Sequence, residues 1–521
     1  MAADLPSSRA TTVVADGGFD SELSPPNSRV RNLLLYCWAL LAMGTAIGAW
    51  SLATPLMAAP DEPAHAIEAA ALVRGQFDVP EHPTYLGPEA TVHVPAWAAS
   101  TPSLSDCLVL FPKFPASCSP KANSGAATAR AITQFSNYPP LYYLIVGIPS
   151  VLARGAPALY AMRIVGTLVN SSLIALGLFL VARYHPRRRL FAGVLIALTP
   201  MALFLSSVLN SSGMEIAAAF AAWCGGLCVI ELRPIPSALA GWTGLAFAVL
   251  VLSRPASPAN AAVICLTLGL VAGWSRCKEL ARDQGTLPIR LAIVAALILA
   301  GVQLAIGGFP PLTGVPAKPR LSIWGSIWLT LRLTEDRLRQ AIGNFGWLTV
   351  PVPEAIFALW SAAVTVLVAA GLTVSSRCRR ALPVLALGIV IMPIILESPR
   401  IDTVGAYWQG RYWLPLLFGV PLVAASQISV REHADRQRVD KFGAAGVMTL
   451  GLVLAAVQVW AFVGALDRYE YGLGALPRGL GTWAPPGGGL LVTGLFVFGM
   501  VLLLGFIAFA TSGPLKGRRR T

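Results

Sequence analysis

Twelve apolar runs, each near the ~20 residues that carry a helix across a bilayer, recur between residues 33 and 511 of this 521-residue chain. They lie near 33–53, 158–182, 190–209, 214–232, 237–253, 258–274, 289–307, 353–373, 381–396, 412–430, 442–466 and 487–511. In hydrocarbon a segment must satisfy its own backbone hydrogen bonds, which a helix does. The expected fold is therefore all-α and integral to a membrane, with about 12 transmembrane helices. Composition agrees. Of the residues, 55% are hydrophobic and 12% charged, where a soluble domain carries about 25% charged. A soluble globular enzyme, a disordered chain and a fibrous protein are excluded. Residues 1–32, with Ser, Pro, Gly and Asp, read as a disordered cytoplasmic tail. Residues 33–430 read as the transmembrane core, and 431–521 as C-terminal transmembrane helices with a basic cytoplasmic tail. The first run starts too deep and is too long for an ordinary cleavable signal peptide.

The formal net charge of +14 sits in short clusters between the runs. Spread that way it reports topology and gives no reason to expect nucleic acid. A further apolar run, 138–153, decides the orientation. If it crossed, most basic clusters after it would face outward. If it does not, Arg183 to Arg189, Arg276 to Arg282, Arg377 to Arg380, Arg431 to Lys441 and Lys516 to Arg520 all join Arg29 and Arg31 in the cytoplasm. The positive-inside rule selects the second arrangement. The run is also short and opens with Pro139-Pro140, so a juxtamembrane helix on the outer side is expected. Both termini are then cytoplasmic in an inner (plasma) membrane. The long connections 54–157, 308–352, 397–411 and 467–486 face outward with over half of the 25 carboxylates. The first of them is a long extracytoplasmic loop carrying juxtamembrane helices. It also holds Cys107 and Cys118, where a compartment that permits disulfides favours a bridge over two free thiols.

Chemistry-bearing residues concentrate on that outer side. In Pro60-Asp61-Glu62-Pro63-Ala64-His65, Asp61 can cap a short helix with Pro63 in its first turn, and Gly75 can end it. Asp61 and His65 are then four apart on one face. Two carboxylates and a histidine can serve as general base toward a hydroxyl. Alternatively, Asp61 and Glu62 can hold a divalent cation such as Mg or Mn, or the segment is a capped, solvated helix. Tyr138-Pro139-Pro140-Leu141-Tyr142-Tyr143 suits an interfacial aromatic belt or the wall of a sugar or headgroup pocket, with Tyr138 and Tyr142 against the ligand. Glu215, at the outer end of a span, is a site candidate or a helix cap. Arg163, inside a span, raises the same question, with a buried structural partner as its alternative. Residues 321–342 read as an amphipathic helix on the outer surface, anchored by Trp324 and Trp328 and followed by the turn Gly343 to Trp347. Gln409-Gly410-Arg411-Tyr412 stands at the mouth of a span. Arg411 is either a snorkelling arginine or a phosphate ligand, since its planar fork matches a phosphate. Arg254 and Arg400 are secondary candidates.

Pro60 to His65, Tyr138 to Tyr143, the Gly343-to-Trp347 turn and Gln409 to Tyr412 with Pro415, in this order, resemble a bacterial family of predicted membrane proteins, domain of unknown function 2142. The resemblance spans roughly 33–430. That family in turn resembles the GT-C integral-membrane glycosyltransferases. The resemblance implies a GT-C-like core and a polyprenyl-phosphate sugar donor. It also implies an envelope glycan or glycolipid acceptor and a site on the extracytoplasmic face. By position, Asp61 becomes the leading catalytic residue with Glu62 and His65 beside it. Arg411 becomes the lipid-phosphate partner, and Glu215 a loose match to a second acidic residue. Base and phosphate partner must flank one bond, so Asp61 and Arg411 are expected to face one cavity about 10 Å apart, each in reach of the reacting group. A transporter or flippase of a lipid-linked sugar is the rival reading; it would depend on intramembrane residues such as Arg163.

Overall fold

A computed structural model describes residues 26–77, 81–84, 87–185, 189–307, 321–399, 401, 405–428, 436–473 and 482–512. The basic residues at 187–188, 431 and 516–520, together with Arg400 and most of the N-terminal tail, lie outside them. A helix already begins at Pro26 and runs to Ala53, with Arg29 and Arg31 exposed on its first turns.

The protein is a bundle of apolar helices embedded in a membrane. Among the described residues eight helices are long and apolar enough to cross, or nine if Ser257–Ala272 is joined to Trp274–Arg282 across a 113° bend. All twelve expected segments are helical, but not all as single spans. Residues 190–209 form two short helices, Leu190–Ala197 and Pro200–Ser206. The break falls where Pro200 cannot donate to the helix before it. Ser237–Val251 and the Leu414–Gln427 segment are short as well. The run at 138–153 is Pro140–Gly147 and Pro149–Leu152, shorter than a span.

Ser211–Glu231 is the central helix and is buried from Ser211 to Ile230. Small residues let neighbours approach it, as is usual for helices in lipid. A Cβ on Gly177 of the helix Gly155–Tyr184 would lie 2.7 Å from the Phe220 ring, and one on Gly225 would lie 2.4 Å from Thr243 Oγ1. Leu287–Gly307 and Glu354–Val374 are mostly exposed apolar surface and form the lipid-facing rim. Pro26–Ala53 packs against Gly489–Ser512, where Gly499 sits over Ala46.

The first long loop carries the helices Glu62–Leu72, Thr101–Leu110 and Pro140–Gly147. It also holds a feature not expected from sequence, a three-stranded antiparallel sheet of Glu81–Thr84, Gly87–Pro95 and Thr128–Thr133. Ala90, Val92 and Val94 are buried while Thr91 and His93 face out, the period of two that makes a strand. Cys107 and Cys118 are bridged, closing the loop after Thr101–Leu110. The helix Pro140–Gly147 lies directly on Glu62–Leu72, because Gly147 admits the Ala69 carbonyl where a Cβ would come within 2.4 Å. That contact brings the Tyr138 segment to the Asp61 segment.

Candidate functional site

The start of the helix Glu62–Leu72 is backbone-strained. Asp61 adopts the left-handed region (φ 64°, ψ 0°), which an Asp tolerates better than most residues at a cost of about 1–3 kcal/mol. Its side chain does not cap the helix; only its carbonyl joins, accepting from the His65 N–H at 3.1 Å. The turn is held from outside. The Pro60 carbonyl accepts from Asn210 Nδ2 at 3.0 Å and from Arg411 Nη1 at 3.4 Å. The left-handed residue leaves the Asp61 carboxylate to Arg411, whose Nη2 donates to Oδ2. The expected separation of about 10 Å, drawn from the need to fit a sugar phosphate between base and partner, is thus corrected. Asp61 and Arg411 share the site, but as a closed ion pair.

Glu62 faces the other way. It is fully buried and forms a two-point pair with Arg163, Nε to Oε1 at 2.6 Å and Nη2 to Oε2 at 2.7 Å. Arg163 spends its remaining donors on the carbonyls of Ser51, Thr54 and Pro55. Glu62 also accepts from the Leu209 N–H at 3.1 Å and, more weakly, from Ala59 at 3.4 Å. The pair ties the end of the first span to Gly155–Tyr184, and both side chains are fully buried in it.

His65 is buried too. Its ring stacks on Phe135 at 3.9 Å between centroids, and its Nδ1 meets the Tyr143 hydroxyl at 2.8 Å. Burial pushes its pKa down to about 3, so it is neutral at physiological pH. Burial acts on Asp61 in the opposite sense, but the Arg411 guanidinium outweighs it, with help from Arg254, and holds the carboxyl below its ordinary value. Asp61 keeps 31% of its side chain exposed, which makes it the accessible acid of the three.

Arg411 sits on the three-residue turn Gly410–Tyr412. Gly410 makes the placement possible. A Cβ there would lie 2.3 Å from the Arg337 carbonyl and 2.5 Å from the Ala341 nitrogen. The turn is fixed to the helix Thr334–Gly343 by Gly410 N–H donating to Gln340 Oε1 at 3.0 Å. Behind it, buried Arg337 pairs with Glu397 and donates to the Trp408 carbonyl, while Glu397 accepts from the Trp408 N–H. The amphipathic helices Ile323–Arg332 and Thr334–Gly343 expose Trp324 and Trp328, as expected of a surface anchor. Gln409 is half-buried beside the turn, its Oε1 without a protein partner.

Tyr412 joins the two halves of the site. Its ring lies under the Arg411 guanidinium at 4.9 Å and under that of Arg254 at 4.4 Å, and its hydroxyl accepts from Arg411 Nη2 at 2.9 Å. Arg254 also donates to Glu215 Oε2 at 3.1 Å, and stands 3.5 Å from the Tyr138 hydroxyl. Glu215 is fully buried, and its other oxygen accepts from Ser257 at 2.7 Å and Asn260 at 2.9 Å. Both of its oxygens are thus engaged by protein groups, one of them Arg254. Tyr138 is half-buried at the site. Tyr142 is fully buried below it, against Gly166 of the next span.

The residues do not fit the expected divalent cation. Among the described residues no three His, Cys, Asp or Glu side chains gather. Glu62 is taken by Arg163, and Asp61 stands beside two guanidiniums, which repel a cation and attract an anion. The arrangement places two guanidiniums about one tyrosine ring, where an anion is favoured, with one accessible carboxylate next to them.

The sequence profile of a family described as predicted membrane protein (DUF2142) matches residues 45–420. The chain belongs to this family. The match runs through Asp61, Arg163, Glu215, Arg254 and Arg411, so the whole site falls within DUF2142. A comparison with curated proteins finds no match. Among solved structures, ArnT from Cupriavidus metallidurans bound to undecaprenyl phosphate is similar at 13% identity over 93% of this chain and 77% of that one, with a TM-score of 0.42. The Archaeoglobus fulgidus oligosaccharyltransferase AglB, in complex with an inhibitory peptide and a dolichol-phosphate, is similar at 14% identity over 87% and 57%, with a TM-score of 0.35.

Two features of this DUF2142 site escaped the sequence. Arg254 ranked only as secondary because its partners Glu215 and Tyr138 lie 39 and 116 residues away. The pairing of Glu62 with Arg163 across 101 residues was equally invisible. The one available signal was the presence of Arg163 inside an apolar run, since a buried arginine requires a partner.

Proposed function

We propose that the protein is a GT-C-type glycosyltransferase. It moves a sugar from a polyprenyl-phosphate donor to a hydroxyl of an envelope glycan or glycolipid. The site faces the extracytoplasmic side of the inner (plasma) membrane, and both termini are cytoplasmic. The observation that supports this best is the meeting of Asp61 with Arg411, 350 residues apart, beside a second arginine and an aromatic ring. A lipid-borne anion and an acceptor hydroxyl need these two groups in one site, flanking the bond that is exchanged.

The chemistry follows from the groups present. The acceptor oxygen forms a bond to the anomeric carbon as the bond from that carbon to the phosphate oxygen breaks. Polyprenyl phosphate leaves with the electron pair, and the acceptor proton passes to Asp61. Arg411 stabilises the charge gathering on the departing phosphate. While paired with Arg411, Asp61 is a weaker base than a free carboxylate, because the guanidinium holds its carboxyl below the ordinary value. An incoming phosphate competes for the same guanidinium. Opening the pair both seats the donor and returns basicity to Asp61, so donor binding precedes activation of the acceptor. His65, neutral and stacked, acts by shaping the wall behind Asp61.

The test is turnover. Purified protein in nanodiscs is given radiolabelled undecaprenyl-phosphate hexoses and pentoses with an envelope glycan fraction. Transfer of label by the wild type and its loss in Asp61→Asn are expected. Wild-type protein that turns over none of the donors, or Asp61→Asn working at the wild-type rate, overturns the reading.

A further inference from the structure

We infer, building on the lipid-phosphate reading above, that Arg254 is a second ligand of the donor phosphate and that Glu215 is the residue that positions it. The arrangement around Arg254 differs from that of an arginine held only for structure. Arg163 provides the internal contrast: it grips Glu62 at two points and gives its other donors to three carbonyls. Arg254 touches Glu215 at one point, 3.1 Å, and its contact with the Tyr138 hydroxyl is at the 3.5 Å limit. Its Nε has no protein partner although the residue is only 8% exposed. The Nε of buried Arg411 is unpartnered as well. A buried cationic N–H without an acceptor is costly, and here two such groups belong to guanidiniums within 5 Å of the centre of one ring.

At rest each guanidinium over this tyrosine has its own carboxylate, Glu215 on Arg254 and Asp61 on Arg411, and an anion that displaces Asp61 meets both positive charges at once. Asp61 is hydrogen-bonded to Arg411, while Arg254 acts on it only through its charge. A phosphate has several oxygens and accepts from arginine forks in parallel pairs. One seated beside Tyr412 takes donors from both guanidiniums, with Asp61 displaced. Glu215 fits the positioning role because it touches nothing on the ligand side. Its oxygens face Arg254, Ser257 and Asn260. It fixes the Nη1 end of the Arg254 fork and leaves Nε without a partner.

Binding of undecaprenyl phosphate to the full-length protein in nanodiscs tests this, with undecaprenol and inorganic phosphate as parallel probes. The wild type is expected to bind undecaprenyl phosphate, and to bind neither undecaprenol nor inorganic phosphate at the same concentration. Arg254→Gln alone leaves Glu215 buried and unpaired, so the main variant is the double Arg254→Gln/Glu215→Gln, which removes both charges together. It should elute as the wild type does and bind undecaprenyl phosphate about tenfold to a hundredfold more weakly, the loss of one charge-assisted contact. Glu215→Gln alone should weaken binding severalfold and add nothing further once Arg254 is Gln, a non-additivity that a merely structural role would not give. An unchanged affinity in the folded double variant overturns the assignment of Arg254 and leaves the transferase reading intact. Failure of the wild type to bind undecaprenyl phosphate, or equal binding of inorganic phosphate, overturns both.

Discussion

Asp61 and Glu62 are neighbours in sequence and each pairs with one arginine, yet the two pairs are opposite in kind. Glu62 and Arg163 are wholly buried, joined at two points, and surrounded by carbonyls and N–H groups that use up the arginine's donors. Asp61 and Arg411 meet at a single guanidinium nitrogen, the acid is partly exposed, and the arginine keeps an unused N–H. The left-handed backbone at Asp61 is what separates them, turning one carboxylate out of the bundle and the next one in. One short segment thus serves as both an anchor and a reactive edge, and the anchor is what lets the strained residue persist.

The comparison breaks first at the anchor. Glu62→Ala strands a buried guanidinium, and removing one member of a buried pair costs about 3–5 kcal/mol. A large fall in melting temperature and in yield of folded protein is expected, whereas Glu62→Leu with Arg163→Met should recover much of the loss. A Glu62→Ala protein with wild-type stability would show that the pair is not the anchor.

At the reactive edge the effect should fall on rate. Asp61→Asn is expected to lower transfer about 10²- to 10⁴-fold, the range for loss of a general base, with a melting temperature close to the wild type. The same change removes the internal competitor for Arg411, so undecaprenyl phosphate should bind more tightly. Weaker binding in Asp61→Asn would mean that the carboxylate supports the donor instead of competing with it.

Gly410→Ala sharpens the contrast from the arginine side. The added methyl meets the backbone of Thr334–Gly343, and such overpacking costs about 1–3 kcal/mol. The turn carrying Arg411 should shift and donor binding weaken severalfold, while the Glu62 anchor, on the far side of Asp61, keeps its stability contribution. Wild-type affinity in this variant would show that the turn does not set the position of Arg411.

His65 gives the smallest effect. Its pKa in the fold is about 3, against an ordinary value of 6.5. As pH falls below 6.5 the unfolded chain takes up a proton that the folded protein refuses, so stability declines between 6.5 and 3 and does not change above that window on account of His65. The pH profile of transfer should accordingly lack a break near 6.5. A break there that vanishes in His65→Gln would reveal that His65 titrates at the site.

Much of this was legible in the residues. The apolar runs gave the helical membrane architecture, since in lipid few alternatives exist, and Asp61, Arg411 and Tyr412 stood out as polar groups at the mouths of spans. Distances did not follow. Whether Asp61 and Arg411 touch depends on a left-handed residue that no pattern announces, and the burial of Glu62 depends on Arg163 more than 100 residues on. The role of Glu215 changed for the same reason, its oxygens being directed inward to Arg254, Ser257 and Asn260. The strand at 87–95 was missed because an alternation of five residues is brief beside runs of twenty, and the helix start at Pro26 because the tail is polar.

The central claim is that the Asp61–Arg411 pair opens to admit a lipid phosphate. A cryo-electron microscopy structure of the wild-type protein in nanodiscs with undecaprenyl phosphate tests it most directly. The account predicts phosphate oxygens within about 3 Å of the Arg411 guanidinium, hydrogen-bond distance, with the Asp61 carboxylate released from it and the Glu62–Arg163 pair unchanged. A phosphate bound elsewhere, or one bound with Asp61 still closed on Arg411, would contradict it.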